Sequence, residues 1–160
     1  MGFGGVAVIE IVAVYLDFVI RIYFRRLDFR FLFVRTKPGP AVYSVPVLAD
    51  GFAVFEGEPG PHVLNPNGTV HGGWALTLID SATGCAAHTL LPAGSRYATI
   101  ETKGNLSRPI TLDTGLVRAE GRVVSQGRQI ISTEAKLLSR DGRILAHGTS
   151  TIMVLTPRPA

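Results

Sequence analysis

The stretch Asn65-Pro-Asn-Gly-Thr-Val-His71-Gly72-Gly73-Trp-Ala-Leu-Thr-Leu-Ile-Asp80 decides how the chain is read. Asn65, Pro66, Asn67 and Gly68 are turn formers. Gly72 and Gly73, without a Cβ, let the backbone approach another surface and leave peptide N–H groups uncovered. From Trp74 on, Ala75, Leu76, Leu78, Ile79, Ala82, Cys85, Ala86, Ala87 and Leu90 make a stretch, to about Leu91, that is apolar nearly all round. A helix of that pattern is buried on every side. One carboxylate, Asp80, stands in its middle with no opposite charge near it in sequence. A buried charge is costly unless it is paired or used, so Asp80 is the first candidate for chemistry. The plainer alternative is a carboxylate satisfied by a neighbouring hydroxyl such as Ser81 or Thr77.

Spacing adds a constraint. Asp80 follows His71 by nine residues, and at about 100° per residue the two are roughly half a turn out of phase. They cannot point into one pocket from one helix. If both serve one site, two copies of the helix must lie side by side, as a symmetric dimer arranges.

Composition bounds the rest. The 160 residues suit one domain with a full core. Most of the formal charge of +4 lies in residues 1–40, where Arg21, Arg25, Arg26, Arg30, Arg35 and Lys37 face Glu10, Asp17 and Asp28. The remainder is nearly neutral, so the high pI does not indicate nucleic acid as a partner. The lone cysteine, Cys85, excludes an internal disulfide and fits a reducing, cytoplasmic setting. Within the apolar helix it reads as a small core residue.

Residues 1–35 stand apart, holding eight of the thirteen aromatic residues. Gly5–Phe24 approaches the roughly 20 apolar residues of a membrane span, but Glu10 and Asp17 interrupt it at high cost. It lacks the basic start and cleavage site of a signal peptide. Membrane contact through residues 1–35 is the weaker alternative to an extension of residues 1–40, which ends in the breaker cluster Thr36-Lys-Pro-Gly-Pro40. A domain over residues 41–156 follows.

In that domain, short strand-like runs cover Val42–Leu48 and Gly51–Glu56, and Gly94 is expected to close the helix. Four strands then follow as a meander: Tyr97–Leu106, Thr114–Ser125, Arg128–Leu138 and Arg143–Leu155. Val117, Ala119 and Gly121 alternate with Arg118, Glu120 and Arg122, one face in and one face wet. Asp141-Gly142 is a hairpin signal. The expected fold is α+β, an antiparallel sheet wrapped around one long central helix.

These features resemble a known family. Asn65-x-x-Gly68-Thr-Val-His71-Gly72-Gly73, then Asp80, Thr99-x-Glu101, Ser107-Arg108-Pro109 and the closing Gly142-Arg-Ile-Leu-Ala-His-Gly-Thr-Ser-Thr look like a PaaI-type hotdog-fold acyl-CoA thioesterase, from about Gly51 to Leu155. The resemblance implies hydrolysis of an acyl- or aryl-CoA thioester to free acid and CoA, without metal or cofactor. It implies that Asp80 is the general base or nucleophile and that the Gly72 N–H polarises the thioester carbonyl. His71 and Asn65 would orient the thioester and the attacking water, and Thr99 would help hold that water. It also implies a homodimer or homotetramer, with Asp80 and Thr99 from one subunit and Asn65, His71 and Gly72 from the other.

Gly73, Trp74 and Arg108 are candidate substrate contacts; Arg96, Lys103 and Arg128 are further candidates for the CoA phosphates, since guanidinium groups suit phosphate. No zinc-type His/Cys spacing, dinucleotide motif or P-loop is present. Two other readings remain open: a hotdog hydratase or dehydratase acting on acyl-thioesters, and a non-catalytic acyl-CoA-binding module.

Overall fold

Small residues let one helix lie directly on a curved sheet. The computed structural model describes residues 43–155; the expected extension over residues 1–40 and its membrane-contact alternative lie outside them. The elements are β1 (Tyr43–Ala49), β2 (Phe52–Gly57), α1 (Gly72–His88), β3 (Arg96–Leu106), β4 (Val117–Gln126), β5 (Ile130–Ser139) and β6 (Ile144–Leu155). Among the described residues the strands form one antiparallel sheet in the order β1-β2-β4-β5-β6-β3. The expected α+β architecture, an antiparallel sheet with one long helix against it, is the one observed. No helix among the described residues is long and apolar enough to cross a membrane.

The sheet turns one side chain in two toward α1. Val117, Ala119 and Gly121 of β4, Ile131, Thr133, Ala135 and Leu137 of β5, and Ala146, Gly148, Ser150 and Ile152 of β6 are all buried. Against them α1 sets Ala75, Leu78, Ile79, Ala82, Thr83 and Ala86. Each Leu or Ile taken from water here contributes about 1.5–3 kcal/mol, and the small residues on both sides set how near the helix can come.

Three boundaries differ from the sequence-based expectation. α1 ends at His88 rather than near Leu91. Thr89 Oγ1 donates to the Ala86 carbonyl at 2.7 Å and accepts from the Gly51 N–H at 2.8 Å, which ties the helix end to the β1–β2 turn. Gly94 does not cap the helix; with φ of 82° it shapes the turn in which Ser95 N–H donates to the Pro92 carbonyl. β4 begins at Val117, because Leu112–Thr114 winds into a short turn in which Thr111 N–H donates to Thr114 Oγ1 at 2.9 Å.

Candidate active site

The loop before α1 is built by Asn65. Its Oδ1 accepts from the N–H groups of Asn67 (2.9 Å) and Thr69 (3.3 Å), and its Nδ2 donates to Thr69 Oγ1 (2.8 Å). This is the Asx-turn behaviour of Asn, and it folds the loop back so that Leu64 bridges Val70. Val70 N–H donates to the Ile110 carbonyl and His71 N–H to the Val63 carbonyl, both at 2.8 Å. The start of α1 is thereby pinned from two sides.

His71 caps that start. Its Nδ1 accepts from the Gly73 N–H at 2.9 Å, and its carbonyl accepts from the Trp74 N–H at 3.0 Å. A ring accepting at Nδ1 carries its hydrogen on Nε2. The first N–H groups of a helix have no acceptor inside it; Gly73 and Trp74 find theirs on His71, while the Gly72 N–H precedes both. Helix N-termini favour negative charge at that place.

Asp80 lies two turns further on and half-buried. Thr102 Oγ1 on β3 donates to its Oδ1 at 3.1 Å. The partner is therefore neither Ser81 nor Thr77, whose hydroxyl instead donates to the Gly73 carbonyl at 2.9 Å. It is also not Thr99. Thr99 does share a cleft of about 410 Å³ with Asp80, together with Gly73, Thr77, Glu101 and Thr102. Both threonines reach the helix side because the β3–β6 register slips between Thr99 and Glu101, making Ile100 an extra residue. Such a bulge changes which residues face which side. Nothing in the strand's own sequence marks this extra residue, so Thr102 does not stand out from it.

Three more of the expected residues, Asn65, Gly72 and Arg108, gather elsewhere. Asn65, Gly72, Ala75, Leu106 and Arg108 line a second cleft of about 300 Å³. Arg108 is exposed there and held by its Nη1 donating to the Ile144 carbonyl at 2.6 Å. His71 is exposed and Trp74 half-buried, and neither lines either cleft. One protomer thus carries two separate groups, Asp80 with Thr99 and Thr102, and Asn65 with Gly72.

Cys85, one turn beyond Asp80, is buried and outside any disulfide. Burial pushes its thiol up to about 12, against a hydrogen bond from Tyr97, and the charge of Asp80 adds to the rise. It is an inert core residue, as expected of a thiol kept out of water. Among the described residues no three His, Cys, Asp or Glu side chains are grouped to hold a metal ion.

Comparison with known proteins places this arrangement. The thioesterase superfamily profile matches residues 67–146. The acyl-coenzyme A thioesterase THEM4 of Xenopus laevis is 34% identical over 92 residues, covering 55% of this chain. The chain spans only about two fifths of that relative's length, 41%. Among solved structures, the BH2602 protein of Bacillus halodurans with CoA is 33% identical with a TM-score of 0.64, over 71% of this chain and 74% of that one. A mutant of the phenylacetic acid degradation protein PaaI of Thermus thermophilus is 30% identical, also with a TM-score of 0.64, over 71% and 93%. The motif that opens α1, the sheet order and these likenesses agree, and the chain belongs to the thioesterase superfamily as a PaaI-type hotdog domain.

Proposed function

We propose that this protein hydrolyses acyl- or aryl-CoA thioesters to the free acid and CoA, at a site completed by a second copy of the chain. The observation that carries the reading is the division of the site residues: Asp80 lines one cleft of the chain, and Asn65 and Gly72 line the other. A two-fold partner brings the complementary half to each, giving a homodimer or a pair of dimers with two or four equivalent sites. THEM4 is named for acyl-coenzyme A thioesterase activity and BH2602 was solved with CoA, which supports this substrate class.

In this mechanism Asp80 acts as general base. Thr102 engages Oδ1, leaving Oδ2 for the water. Asp80 takes a proton from the water as its oxygen adds to the thioester carbonyl, and the carbonyl oxygen becomes an oxyanion facing the Gly72 N–H. Preorganised donors of this kind are worth about 3–4 kcal/mol of barrier. The C–S bond then breaks, and the CoA thiolate takes up the proton. Asn65 and His71 orient the thioester and the water, Thr99 helps to hold that water, Gly73 and Trp74 contact the acyl part, and Arg108 contacts the CoA phosphates. The free thiol of Cys85 fits a reducing compartment, and the proposal places the protein in the cytoplasm. Residues 41–156 form the catalytic domain and residues 1–40 an extension to it.

The test is free-thiol release from a panel of aryl-, short-, medium- and long-chain acyl-CoAs, with Asp80→Asn and Asp80→Ala alongside. The expected result is turnover that falls about a hundredfold or more in both variants. A single turnover in isotopically labelled water is expected to place the label in the acid product, as attack by water rather than by Asp80 demands. Absence of thiol release from every substrate would leave acyl-CoA binding without hydrolysis. Full activity in both variants would move the base elsewhere.

A further inference from the structure

Behind Asp80 lies a run of hydroxyls of which the reaction as written uses only the first, Thr102. Thr102 Oγ1 is 3.1 Å from Asp80 Oδ1 and 3.0 Å from Ser150 Oγ, and Ser150 Oγ is 2.8 Å from Thr83 Oγ1. Thr83 Oγ1 is also 2.9 Å from the Ile79 carbonyl and 3.1 Å from the Asp80 carbonyl. Thr83 is 0% exposed and Ser150 3%. The chain therefore runs from the cleft into the core, across α1, β3 and β6. Thr133 Oγ1 donates to the Ser150 carbonyl at 3.1 Å and fixes the strand that carries the middle link.

Counting hydrogens fixes how the chain must run. Each hydroxyl has one hydrogen to donate, and an ionised carboxylate only accepts. With Asp80 ionised, the Thr102 hydrogen goes to Oδ1, so the contact with Ser150 is a bond only if Ser150 donates. Ser150 then has nothing left for Thr83, and Thr83 must donate to Ser150. The proton taken from the attacking water lands on Oδ2, and Oδ1 still accepts from Thr102, so this one direction serves Asp80 before and after the attack. No hydroxyl hydrogen of the chain is left unpaired.

We propose that Thr83, Ser150 and Thr102 form a one-way hydroxyl chain that runs from the core to Oδ1, positions Asp80 and holds it as the ionised base with Oδ2 toward the water. The proposal rests on the reading of Asp80 as general base. Thr83 and Ser150 touch neither substrate nor water; they act through Thr102, as positioning residues. Linked hydroxyls polarise one another, so loss of a distant link weakens the bond at the carboxylate.

The readout is the pH dependence of hydrolysis, which a purely structural role would not move. The ionisable groups that face this part of α1 among the described residues include Glu101, which lines the same cleft from β3, Tyr97 of β3, which reaches Gly84 and Cys85, and Cys85 itself. The faces of β5 and β6 turned to α1 bring hydroxyls and apolar groups, Thr133, Ser150, Ile131 and Ile152. Without its neighbour in the chain the Thr102 hydroxyl donates more weakly, the ionised carboxylate is less stabilised, and the acid limb moves to higher pH.

The experiment measures kcat/KM for the best acyl-CoA of the panel at about pH 5 and about pH 8, in the full chain and in Ser150→Ala and Thr83→Val. The low-to-high ratio is expected to fall about two- to tenfold in each variant, and Ser150→Thr and Thr83→Ser are expected to restore it. A wild-type ratio in both variants overturns the chain, whatever happens to Tm or to kcat. Thr102→Val, at the half-buried end, gives the same reading if neither buried variant folds. Glu101→Gln is run beside them; if it alone flattens the profile, the acid limb belongs to Glu101 and the proposal falls. Activity retained in Asp80→Asn brings down the base assignment itself. An inactive Asp80→Asn with unmoved ratios elsewhere brings down only the chain.

Discussion

The backbone carbonyl of Ala82 stands where a Cβ on Gly121 would have to go, so α1 rests directly on β4 with no side chain between them. The obstacle is backbone on both sides and cannot swing away. Gly121→Ala is therefore expected to destabilise the protein by about 1–3 kcal/mol or more, lowering Tm by several degrees. Gly68→Ala is the control: its φ of 79° is strained for alanine, but nothing lies within 4 Å of the new methyl. Urea titration of the two variants is expected to place the Gly121 midpoint well below that of Gly68→Ala.

The proposed oxyanion donor, the Gly72 N–H, can be deleted at a position where a helix tolerates proline. Gly72 is the first residue of α1, where proline is well tolerated. The preceding His71, at φ −62° and ψ 133°, already has the extended backbone that proline demands of its neighbour. Gly72→Ala and Gly72→Pro both press a Cβ toward Leu106 Cδ1, which lies at 2.7 Å, yet only proline deletes the N–H. Gly72→Pro is expected to lower kcat about a hundred- to a thousandfold below Gly72→Ala. Equal rates for the two would remove Gly72 from the chemistry.

A shared site makes a quantitative demand. If Asp80 and Gly72 of one site come from different subunits, an inactive Asp80→Asn chain and an inactive Gly72→Pro chain rescue each other. Refolded together in equal amounts, half of the dimers are mixed, and each mixed dimer has one intact site. Activity of about a quarter of wild type is expected. Persistent inactivity of the co-refolded mixture would place both residues in the same protomer's site.

His88 gives the fold an acid-sensitive seam. Its ring lies 5.0 Å from that of Tyr97, and Nε2 lies 3.3 Å from the Ser95 carbonyl. Burial holds its pKa below the ordinary histidine value, against the opposing hydrogen bond to Ser95. The unfolded chain therefore binds this proton more readily than the native one, and stability is lost as pH falls through the normal histidine range of about 6.5 toward the lower native value. His88→Gln cannot take up the proton. Its Tm is expected to fall less than that of wild type between about pH 7.5 and pH 5.5. Parallel pH profiles for the two proteins would refute this assignment.

Much of this architecture was legible because it follows from local rules. The run after Gly73 has apolar residues at nearly every helical angle, the pattern of a buried helix. Val117, Ala119 and Gly121 face inward as their alternation requires, and Asp141-Gly142 makes its hairpin with Gly142 at a φ of 80°. What stayed hidden depends on contacts between distant segments. The end of α1 is set by Thr89 reaching Gly51, and no window around His88 contains that information. Ser150 could have been noticed as a hydroxyl on the inward row of β6. Its link to Thr83, 67 positions earlier in the chain, needed the fold. Arg108 was legible as a phosphate-binding type of residue, but its anchoring on Ile144 was not.

The extra residue in β3 gives the strand something like a reading frame. Upstream of Ile100 the odd-numbered positions Tyr97 and Thr99 look toward α1; downstream the even-numbered positions Thr102 and Gly104 do. A strand with no such insertion would present the same pair of hydroxyls as Thr-x-Thr, where this one spells Thr-x-x-Thr. Removing Ile100 would thus keep both threonines on the working side, whereas a further single insertion after it would turn Glu101 and Lys103 inward in place of Thr102 and Gly104. The chemistry of this edge is written in the count of residues between hydroxyls as much as in their identity, and two related chains can share it while differing by one in that count.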